Sequence, residues 1–245
     1  MGRLIHPDWP VPGRVNSLMT TRRGGVSSAP WDSFNLGDHV GDDPQHVAAN
    51  RAHLREHLPA DPHWLKQVHS ARVVEAGRDA NLEADAAFTR SPATVCAVLT
   101  ADCLPVLFCD HAGSVVAAAH AGWRGLAGGV LEAAVAAMGV APDDVLAWMG
   151  PAIGPRAFEV GDEVRQAFVR QQAETASAFT PQPSTGESAR KWLADIYQLA
   201  RLRLNRAGVA SIYGGGRCTC GEAEEFFSYR RDGVTGRMAA LIWLE

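Results

Sequence analysis

The sequence predicts an α/β fold built on mixed sheets. Short apolar, β-branched runs alternate along the 245 residues with segments of helical periodicity, and no repeat or long linker separates them. Continuous apolar runs such as Thr94–Thr100 are typical of strands that are buried on both faces. With 47% hydrophobic and 20% charged residues, the chain can bury a substantial core. No feature marks a domain boundary, so we expect one domain over residues 1–245.

The first elements are separated by polar and glycine-containing loops. A strand is expected at Val15–Thr20. A helix is expected to begin at Asp43 and Pro44, because aspartate is a favourable N-cap and proline suits the first helical position. Leu65–Glu75 is expected to be a strand that is interrupted near His69–Ser70.

The remaining elements alternate more regularly, with strands predicted by short apolar runs and helices by apolar residues at helical spacing. The expected strands are Thr94–Thr100, Pro105–Cys109, Val115–His120, Val145–Met149, Val209–Tyr213 and Met238–Leu244, and the expected helices are Gly125–Met138, Glu163–Gln172 and Lys191–Arg206. The polar segment Thr175–Ser188 contains two prolines and is expected to be an exposed excursion.

Bulk properties exclude several classes of protein. The formal net charge of −4 argues against a nucleic-acid-binding protein, which needs a basic face. No apolar run approaches the roughly 20 residues that cross a bilayer, and no secretory signal is visible. Five scattered cysteines do not form a disulfide framework. We therefore expect a reduced, cytoplasmic protein with neither a nucleic acid nor a membrane as its partner.

Three separated residues, His69, Cys103 and His120, indicate a metal site. Cys103 and His120 each lie at the end of an expected strand, where α/β proteins place their chemistry. Two imidazoles and one thiolate form the ligand set of an open zinc site, in which the fourth position is left for water or substrate. Because the spacing matches no short zinc motif, a buried cysteine and two histidines without a ligand are the structural alternative.

A second functional alternative uses the same residues without a metal. Cys103 would be the nucleophile of a cysteine hydrolase, and His69 or His120 would be the base that forms its thiolate. Cys96 and Cys109 lie inside apolar runs and are expected to belong to the core. The pair Cys218 and Cys220 is too closely spaced for a zinc knuckle.

Several longer strings resemble one protein family. They are TRRGGVSSAPWDSFNLGDHVGDDPQHVAANR, WLKQVHSARVV, EADAAFT, VLTADCLPVLFCD, AAAHAGWRGLAGGVLE, WMGPAIGP, FEVGDEV and FFSYRRDGVTGRMAALIWL. From about Val15 to Leu244 the chain resembles the YfiH family, also called the polyphenol oxidase or laccase-domain family and the peptidoglycan-editing-factor family. The resemblance implies a single domain with α/β/β/α layers, likened to the cytotoxic-necrotizing-factor cysteine hydrolases. It also implies a zinc site at His69, Cys103 and His120.

The resemblance further implies purine-nucleoside chemistry. The implied reactions are the phosphorolysis of adenosine, inosine, guanosine and methylthioadenosine, and the deamination of adenosine. Two other activities belong to the family: copper-dependent oxidation of phenols, and amide hydrolysis that removes a misincorporated L-serine from a UDP-muramyl peptide precursor. A multicopper laccase is not expected, because the nine histidines include no His-x-His pair. Copper is the alternative metal for the three-ligand site.

Within these expectations, other polar residues receive roles around the metal ligands. Asp102 or a zinc-bound hydroxide is expected to carry the proton transfers. Cys103, His120 and His69 are the other expected catalytic residues. Arginines pair with phosphate in a bidentate manner, and amides contact a base or a ribose. The expected anion-binding residues are Arg51, Arg124 and Arg231, and the expected amide contacts are Asn35 and Gln67. The partner would be a small molecule, either a purine nucleoside with phosphate or the UDP-muramyl peptide; a non-catalytic metal-binding module is the third class considered.

Overall fold

A computed structural model describes residues 4–183 and 190–245 of the chain. Its strands are β1 Leu4–Ile5, β2 Val15–Thr20, β3 Pro62–His63, β4 Val73–Glu75, β5 Ala86–Thr89, β6 Val95–Thr100, β7 Leu104–Asp110, β8 Val116–Ala121, β9 Val145–Met149, β10 Glu159–Gly161, β11 Phe179–Pro181, β12 Lys191–Ala194, β13 Ser211–Gly214 and β14 Met238–Leu244. The α-helices are α1 Pro44–Arg55, α2 Trp123–Gly128, α3 Val130–Met138, α4 Asp162–Val169, α5 Ile196–Arg206 and α6 Tyr229–Asp232. Short 3-10 helices occur at Pro142–Asp144 and Ala173–Ala178.

Two mixed sheets form the centre of the molecule. The first has the strand order β1-β2-β14-β6-β3, and only its β3–β6 pair is parallel. The second has the order β13-β9-β7-β8-β5-β4, with parallel pairs at both edges. A third, antiparallel sheet of order β10-β12-β11 packs beside the second sheet. The mixed α/β fold that the sequence predicts is therefore confirmed.

The layers follow from the alternation of side chains along the strands. On β7, Leu107 and Cys109 point toward the first sheet, whereas Val106 and Phe108 point toward the helices. Helices α2, α3, α4 and α5 share the core on that outer face of the second sheet. Helix α1 covers the outer face of the first sheet through Leu54. The order of layers is thus helix, sheet, sheet, helix, as the resemblance implied.

Six of the expected strands lie within a residue of observed strands at each end. They are β2, β6, β7, β8, β9 and β14. The first helix also begins as expected, because the Asp43 side chain accepts the N–H of Gln45 and Pro44 is the first helical residue. Long apolar runs and a clear helix cap are local signals, so the bounds of these elements could be predicted from short segments of sequence.

Two element predictions were wrong because their patterns cover more than one element. Lys191–Arg206 is not one helix: Lys191–Ala194 is strand β12, and Asp195 caps a helix that begins at Ile196. Leu65–Glu75 is not an interrupted strand, since Val73–Glu75 alone is a strand of the second sheet and Lys66 forms a single bridge.

Two further predictions need adjustment. The expected helix Gly125–Met138 is divided into α2 and α3 by Gly129, whose φ of +92° ends one helix and starts the next. The expected excursion Thr175–Ser188 is partly wrong, because Thr175 and Phe179 are buried in the 3-10 helix and in β11. Its residues 184–188 lie outside the described residues. Among the described residues, the structure has no helix that is both long and apolar enough to span a membrane.

Candidate active site

Three different parts of the fold bring His69, Cys103 and His120 together. Cys103 ends the three-residue crossing from β6 in the first sheet to β7 in the second. His120 lies on β8, directly across from Pro105 of β7. His69 lies in the loop before β4 and has a φ of +61°, which is unusual for a residue with a side chain. The candidate site therefore lies where the two sheets are joined.

The three side chains have the geometry of a metal-binding group. The Cys103 Sγ lies 3.8 Å from the His69 Nε2, and the centroids of the two imidazole rings are 4.9 Å apart. One ligand atom from each of the three residues lies within 4.8 Å of the others. A tetrahedral zinc ion separates its sulfur and nitrogen ligands by about 3.6 Å. The residues therefore fit an open three-ligand zinc site.

Asp85, which the sequence analysis did not select, organises this group. Its fully buried carboxylate accepts a hydrogen bond from the Nδ1 of His120 at 2.9 Å and from the backbone N–H of His69 at 2.9 Å. The backbone N–H and hydroxyl of Ser70 also donate to it. This arrangement fixes the His120 ring with its Nε2 free to bind a metal, as in carboxylate–histidine–zinc sites. The available signal was an aspartate directly before the apolar strand β5.

The charges of these residues support one another. Burial opposes the charge of Asp85, but hydrogen bonds from His120 and Ser70 lower its pKa to about 2. Burial also opposes the Cys103 thiolate, but His120 and His69 lower the pKa of that thiol to about 6. In turn, the charges of Cys103 and Asp85 outweigh burial and raise the pKa of His120 to about 9. The Cys103 thiolate is thus favoured at neutral pH, as metal binding or nucleophilic attack requires.

The other core thiols lack this environment. Burial raises the pKa of Cys109 to about 12, and burial also raises the pKa of Cys96. Both side chains are fully buried between the two sheets, as their apolar sequence context predicts. Ionisation therefore distinguishes Cys103 from these two cysteines.

Gly122 leaves the space in which the three ligands meet. A Cβ atom at this position would lie 2.9 Å from the Cys103 Sγ and 2.7 Å from the His69 Cδ2. Gly125 has a similar role one turn later, because a Cβ there would lie 3.0 Å from the carbonyl oxygen of Ser70. Real Cβ atoms do not make such contacts without displacing their neighbours, so the two glycines are needed for the observed arrangement.

The site opens into a cavity of about 590 Å³, a size typical of small-molecule sites. One part of its wall is apolar and aromatic, and another part is cationic. The apolar lining includes Trp123, Ile153, Phe158 and Ile196, and the cationic lining comprises Arg124, Arg230 and Arg237. Asp102 is the one carboxylate among the described residues that line it. The cavity therefore suits an anionic ligand with an aromatic part.

Three of the predicted contact residues line this cavity. Gln67 does so while both ends of its amide are bound to the backbone of Leu99, at 2.7 and 2.8 Å. Asp102 has a φ of +87°, and its two carboxylate oxygens accept the hydroxyl of Thr219 at 2.6 Å and the N–H of Arg230 at 2.7 Å. Arg124 lies 4.5 Å over the ring of Trp123 and is otherwise exposed.

Three other predicted contact residues lie away from the cavity lining. Arg51 pairs with Asp38 at 3.2 Å and stacks on Trp64. Asn35 is fully buried, and both ends of its amide bind other parts of the chain.

Arg231 is the third of these residues, and its guanidinium binds protein groups on every side. It donates to the backbone carbonyls of Thr219, Cys220 and Phe226 and pairs with Asp232. Arg237 takes a place in the lining that the sequence analysis did not assign. Its position directly before the apolar strand β14 was the available signal.

Comparisons with known proteins identify the family of the chain. A family model described as multi-copper polyphenol oxidoreductase laccase matches residues 16–245. A Pseudomonas aeruginosa protein named purine nucleoside phosphorylase is 56% identical over 245 residues, covering 100% of both chains. A protein of Escherichia coli K12 named purine nucleoside phosphorylase YfiH is 55% identical over 248 residues, again covering 100% of both.

Solved structures give the same answer for the fold. A Neisseria meningitidis protein superposes with a TM-score of 0.92 at 52% identity, covering 99% of each chain. A Bacillus licheniformis protein titled hypothetical protein YfiH superposes with a TM-score of 0.84 at 34% identity, covering 94% of this chain and 93% of that one. By sequence and by fold, the chain belongs to the YfiH family of laccase-like proteins.

Proposed function

We propose that the chain is a zinc-dependent purine nucleoside phosphorylase that acts on adenosine, inosine, guanosine and methylthioadenosine, with adenosine deaminase activity. The observation that carries the proposal is the meeting of His69, Cys103 and His120 at a cavity with aromatic and cationic walls. Relatives named purine nucleoside phosphorylase are more than half identical to the chain over its full length. A purine suits the aromatic wall, and phosphate suits the arginines.

Three residues would bind the metal, and neighbouring residues keep these three side chains in position. His69, Cys103 and His120 would bind zinc, while Asp85 keeps the Nε2 of His120 turned toward the ion. When bound, zinc supplies a Lewis acid that polarises oxygen and activates water near neutral pH. Gly122 keeps the coordination space free of side-chain atoms.

The remaining cavity residues would bind the substrates and move protons. In phosphorolysis a phosphate oxygen attacks the anomeric carbon of the ribose, the glycosidic bond breaks, and the purine leaves with a proton. Cationic side chains of the cavity neutralise the attacking phosphate. Asp102 is the proposed proton carrier, since each of its carboxylate oxygens accepts one hydrogen bond and keeps a further lone pair. Trp123 and Phe158 form part of the wall that excludes water from the reacting bond.

The test combines metal analysis with a nucleoside turnover screen, with and without phosphate. We expect the wild type to hold close to one zinc per chain and to release free base only when phosphate is present. We expect Cys103→Ala to lose both metal and turnover. Cys109→Ala is the matched control, because this buried thiol lies outside the cavity and should retain both. Full turnover by metal-free wild type would contradict the proposal.

A second candidate is an amide hydrolase without metal, which would release L-serine from the UDP-muramyl peptide precursor. One observation favours it: Asp85 binds the Nδ1 of His120, and His120 lowers the pKa of the Cys103 thiol, as in a nucleophile–base–acid triad. Product analysis separates the two candidates. Free serine from the muramyl nucleotide in chelator-treated protein supports the hydrolase, whereas free purine base from a nucleoside supports the phosphorylase.

Copper-dependent phenol oxidation is less favoured by the site. A laccase requires a blue-copper site and a separate copper cluster with many histidine ligands. Among residues 4–183 and 190–245, His69, Cys103 and His120 form the one group of three or more potential ligands. Copper in this chain would therefore have to occupy the same three-ligand site that we propose for zinc.

A further inference from the structure

Arg237 is the cavity cation that combines partial burial with unused hydrogen-bond donors. It is half-buried, and its Nη1 donates to the carbonyl oxygens of Thr235 and Gly236, both at 3.0 Å. In the described parts of the chain no carboxylate forms an ion pair with it, and its Nε and Nη2 have no protein acceptor. Burial lowers the pKa of its guanidinium, while the charges of Cys103 and Asp102 raise it. A partly buried cation of this kind is stabilised by an anion.

The other arginines near the site are engaged differently. The Arg230 guanidinium donates to the carbonyl oxygen of Ala157 at 3.1 Å and lies over the ring of Phe158. Arg124 is exposed to solvent, which screens its charge. Arg237 therefore combines a place in the cavity lining, burial and free donors, which neither of the other two arginines does.

A buried turn is built around the backbone and stem of Arg237. The Oδ1 of Asn35 accepts the N–H of Arg237 at 2.9 Å and the N–H of Gly37 at 2.9 Å, and the N–H of Leu36 donates to the carbonyl oxygen of Arg237 at 3.1 Å. The Nδ2 of Asn35 donates to Asp42 at 2.9 Å, which fixes the orientation of the amide. The turn of residues 35–37 thus holds the backbone from which the Arg237 side chain starts.

Gly37 shows how closely this turn packs against the arginine. A Cβ atom at this position would lie 2.8 Å from the Cγ and 3.2 Å from the Cβ of Arg237. Any side chain at position 37 would therefore push the stem of Arg237 out of its present course. Asn35 was expected to contact the substrate; it is instead fully buried, and its Oδ1 binds the backbone of Arg237, which lines the cavity.

We propose that Arg237 binds the oxyanion of the phosphate substrate, and that the turn of residues 35–37 is the positioning element that aims its guanidinium. The assignment of the oxyanion as phosphate rests on the proposed phosphorylase function. The binding of an oxyanion at Arg237 rests on the geometry alone. The free Nε and Nη2 offer the pair of parallel donors that phosphate accepts in a bidentate manner.

The experiment is a calorimetric titration of inorganic phosphate into the metal-loaded protein, with phosphate and nucleoside KM values measured in parallel. We expect Arg237→Gln to weaken phosphate binding roughly ten- to a hundredfold, as for lost hydrogen bonds to a charged group. We expect the nucleoside KM to change far less than the phosphate KM. Arg78→Gln is the matched control, because it removes the same charge from an exposed residue outside the cavity and should leave both values unchanged.

Gly37→Ala tests the positioning element without removing a charge. We expect it to raise the phosphate KM and to leave the nucleoside KM unchanged, because the added Cβ displaces the stem of Arg237. Should Arg237→Gln fail to fold, the phosphate affinities of Gly37→Ala and Arg237→Lys test the inference instead, because both variants keep a cation at the site. Wild-type phosphate affinity in both of these folded variants would overturn the inference.

The outcomes separate the inference from the proposed function. Arg237-dependent phosphate binding without any phosphate-dependent turnover would support the oxyanion site and overturn the phosphorylase. Phosphate-dependent turnover with unchanged phosphate binding and KM in Arg237→Gln would overturn the site and leave the phosphorylase standing. Absence of phosphate binding by the wild type would overturn the site directly.

Discussion

Asp85→Asn removes the carboxylate that organises the candidate metal ligands. One oxygen of Asp85 accepts from the His69 N–H and the His120 Nδ1, and the other accepts from the Val68 N–H and from the N–H and hydroxyl of Ser70. Asparagine carries an NH₂ group in place of one of these two oxygens, and an NH₂ group cannot accept the same hydrogen bonds. In either orientation, one or two partly buried backbone N–H groups lose their acceptor, which costs up to about 1–3 kcal/mol each.

We therefore expect Asp85→Asn to lower the free energy of unfolding by about 2–5 kcal/mol. The pKa of Asp85, about 2 against an ordinary 3.8, independently corresponds to about 2 kcal/mol of stabilisation at neutral pH. Because the carboxylate also orients His120, we expect zinc affinity to fall by roughly 10- to 100-fold. Urea unfolding of the metal-free protein measures the first effect, and competition with a chromogenic chelator measures the second.

The matched control is Asp110→Asn, at the far end of β7 from Cys103. Asp110 is also buried, and it accepts the N–H and hydroxyl of Ser114 and the N–H of Val115. This variant should lose stability by a similar mechanism and keep zinc affinity. Wild-type stability together with wild-type zinc affinity in Asp85→Asn would refute the reasoning about Asp85.

Three further predictions follow from single features of the structure. Gly122→Ala should lower the zinc content of the protein, because the added Cβ would lie 2.9 Å from the Cys103 Sγ. Gly128→Ala is the control and should bind zinc normally, because its added Cβ has no neighbour nearer than 4.0 Å. Elemental analysis that finds equal zinc in both variants would contradict this prediction. Hydrogen bonds outweigh burial and hold the pKa of the Asp110 carboxyl below 3.8. The ionised carboxylate therefore stabilises the fold above pH 3.8, and this contribution is lost as the pH falls further. The free energy of unfolding, measured from pH 5 to pH 2, should fall less steeply in Asp110→Asn than in the wild type. Removing the metal with a chelator should lower the thermal midpoint of the wild type and leave that of Cys103→Ala unchanged; equal shifts in the two would exclude Cys103 as a ligand.

The fold was predictable wherever one short segment carries the whole signal. The runs that became β2, β9 and β14 were located to the residue. β9 and β14 are buried at every position, which explains why all of their residues are apolar. Errors occurred where a pattern continues across a boundary. Leu193 lies at helical spacing from Ile196, Tyr197 and Ala200, so it seemed to extend the apolar stripe of α5, although it belongs to strand β12.

The candidate site was predictable only in part, for a related reason. His69, Cys103 and His120 could be selected because imidazoles and a thiolate are rare beside apolar strand ends and because the surrounding strings resemble one family. Residue chemistry alone does not reveal the residues that support them. Asp85 acts through five hydrogen bonds to residues up to 35 positions away, and its local signal, a position directly before the apolar strand β5, does not indicate those partners.

The arginines show the same division. Arg51, Arg124, Arg231 and Arg237 have equal donor chemistry as letters in a sequence. In the structure, Arg231 is saturated by carbonyl groups and Asp232, Arg51 stacks on Trp64, and Arg124 and Arg237 reach the cavity. Which arginine can bind an anion depends on the partners that its guanidinium already has in the folded chain.

The sequence by itself determined the longer strands and the α/β class through apolar periodicity, and it selected the three candidate ligands through residue chemistry. The order of the layers followed from the family resemblance. The tertiary structure alone decided that Asp85 orients His120, that Gly122 leaves room for the ligands, and that the turn at Gly37 supports Arg237. The physical reason is that burial, hydrogen-bond saturation and free space are properties of neighbours in three dimensions. Segments distant in sequence meet at the junction of two sheets, and only there do these properties exist.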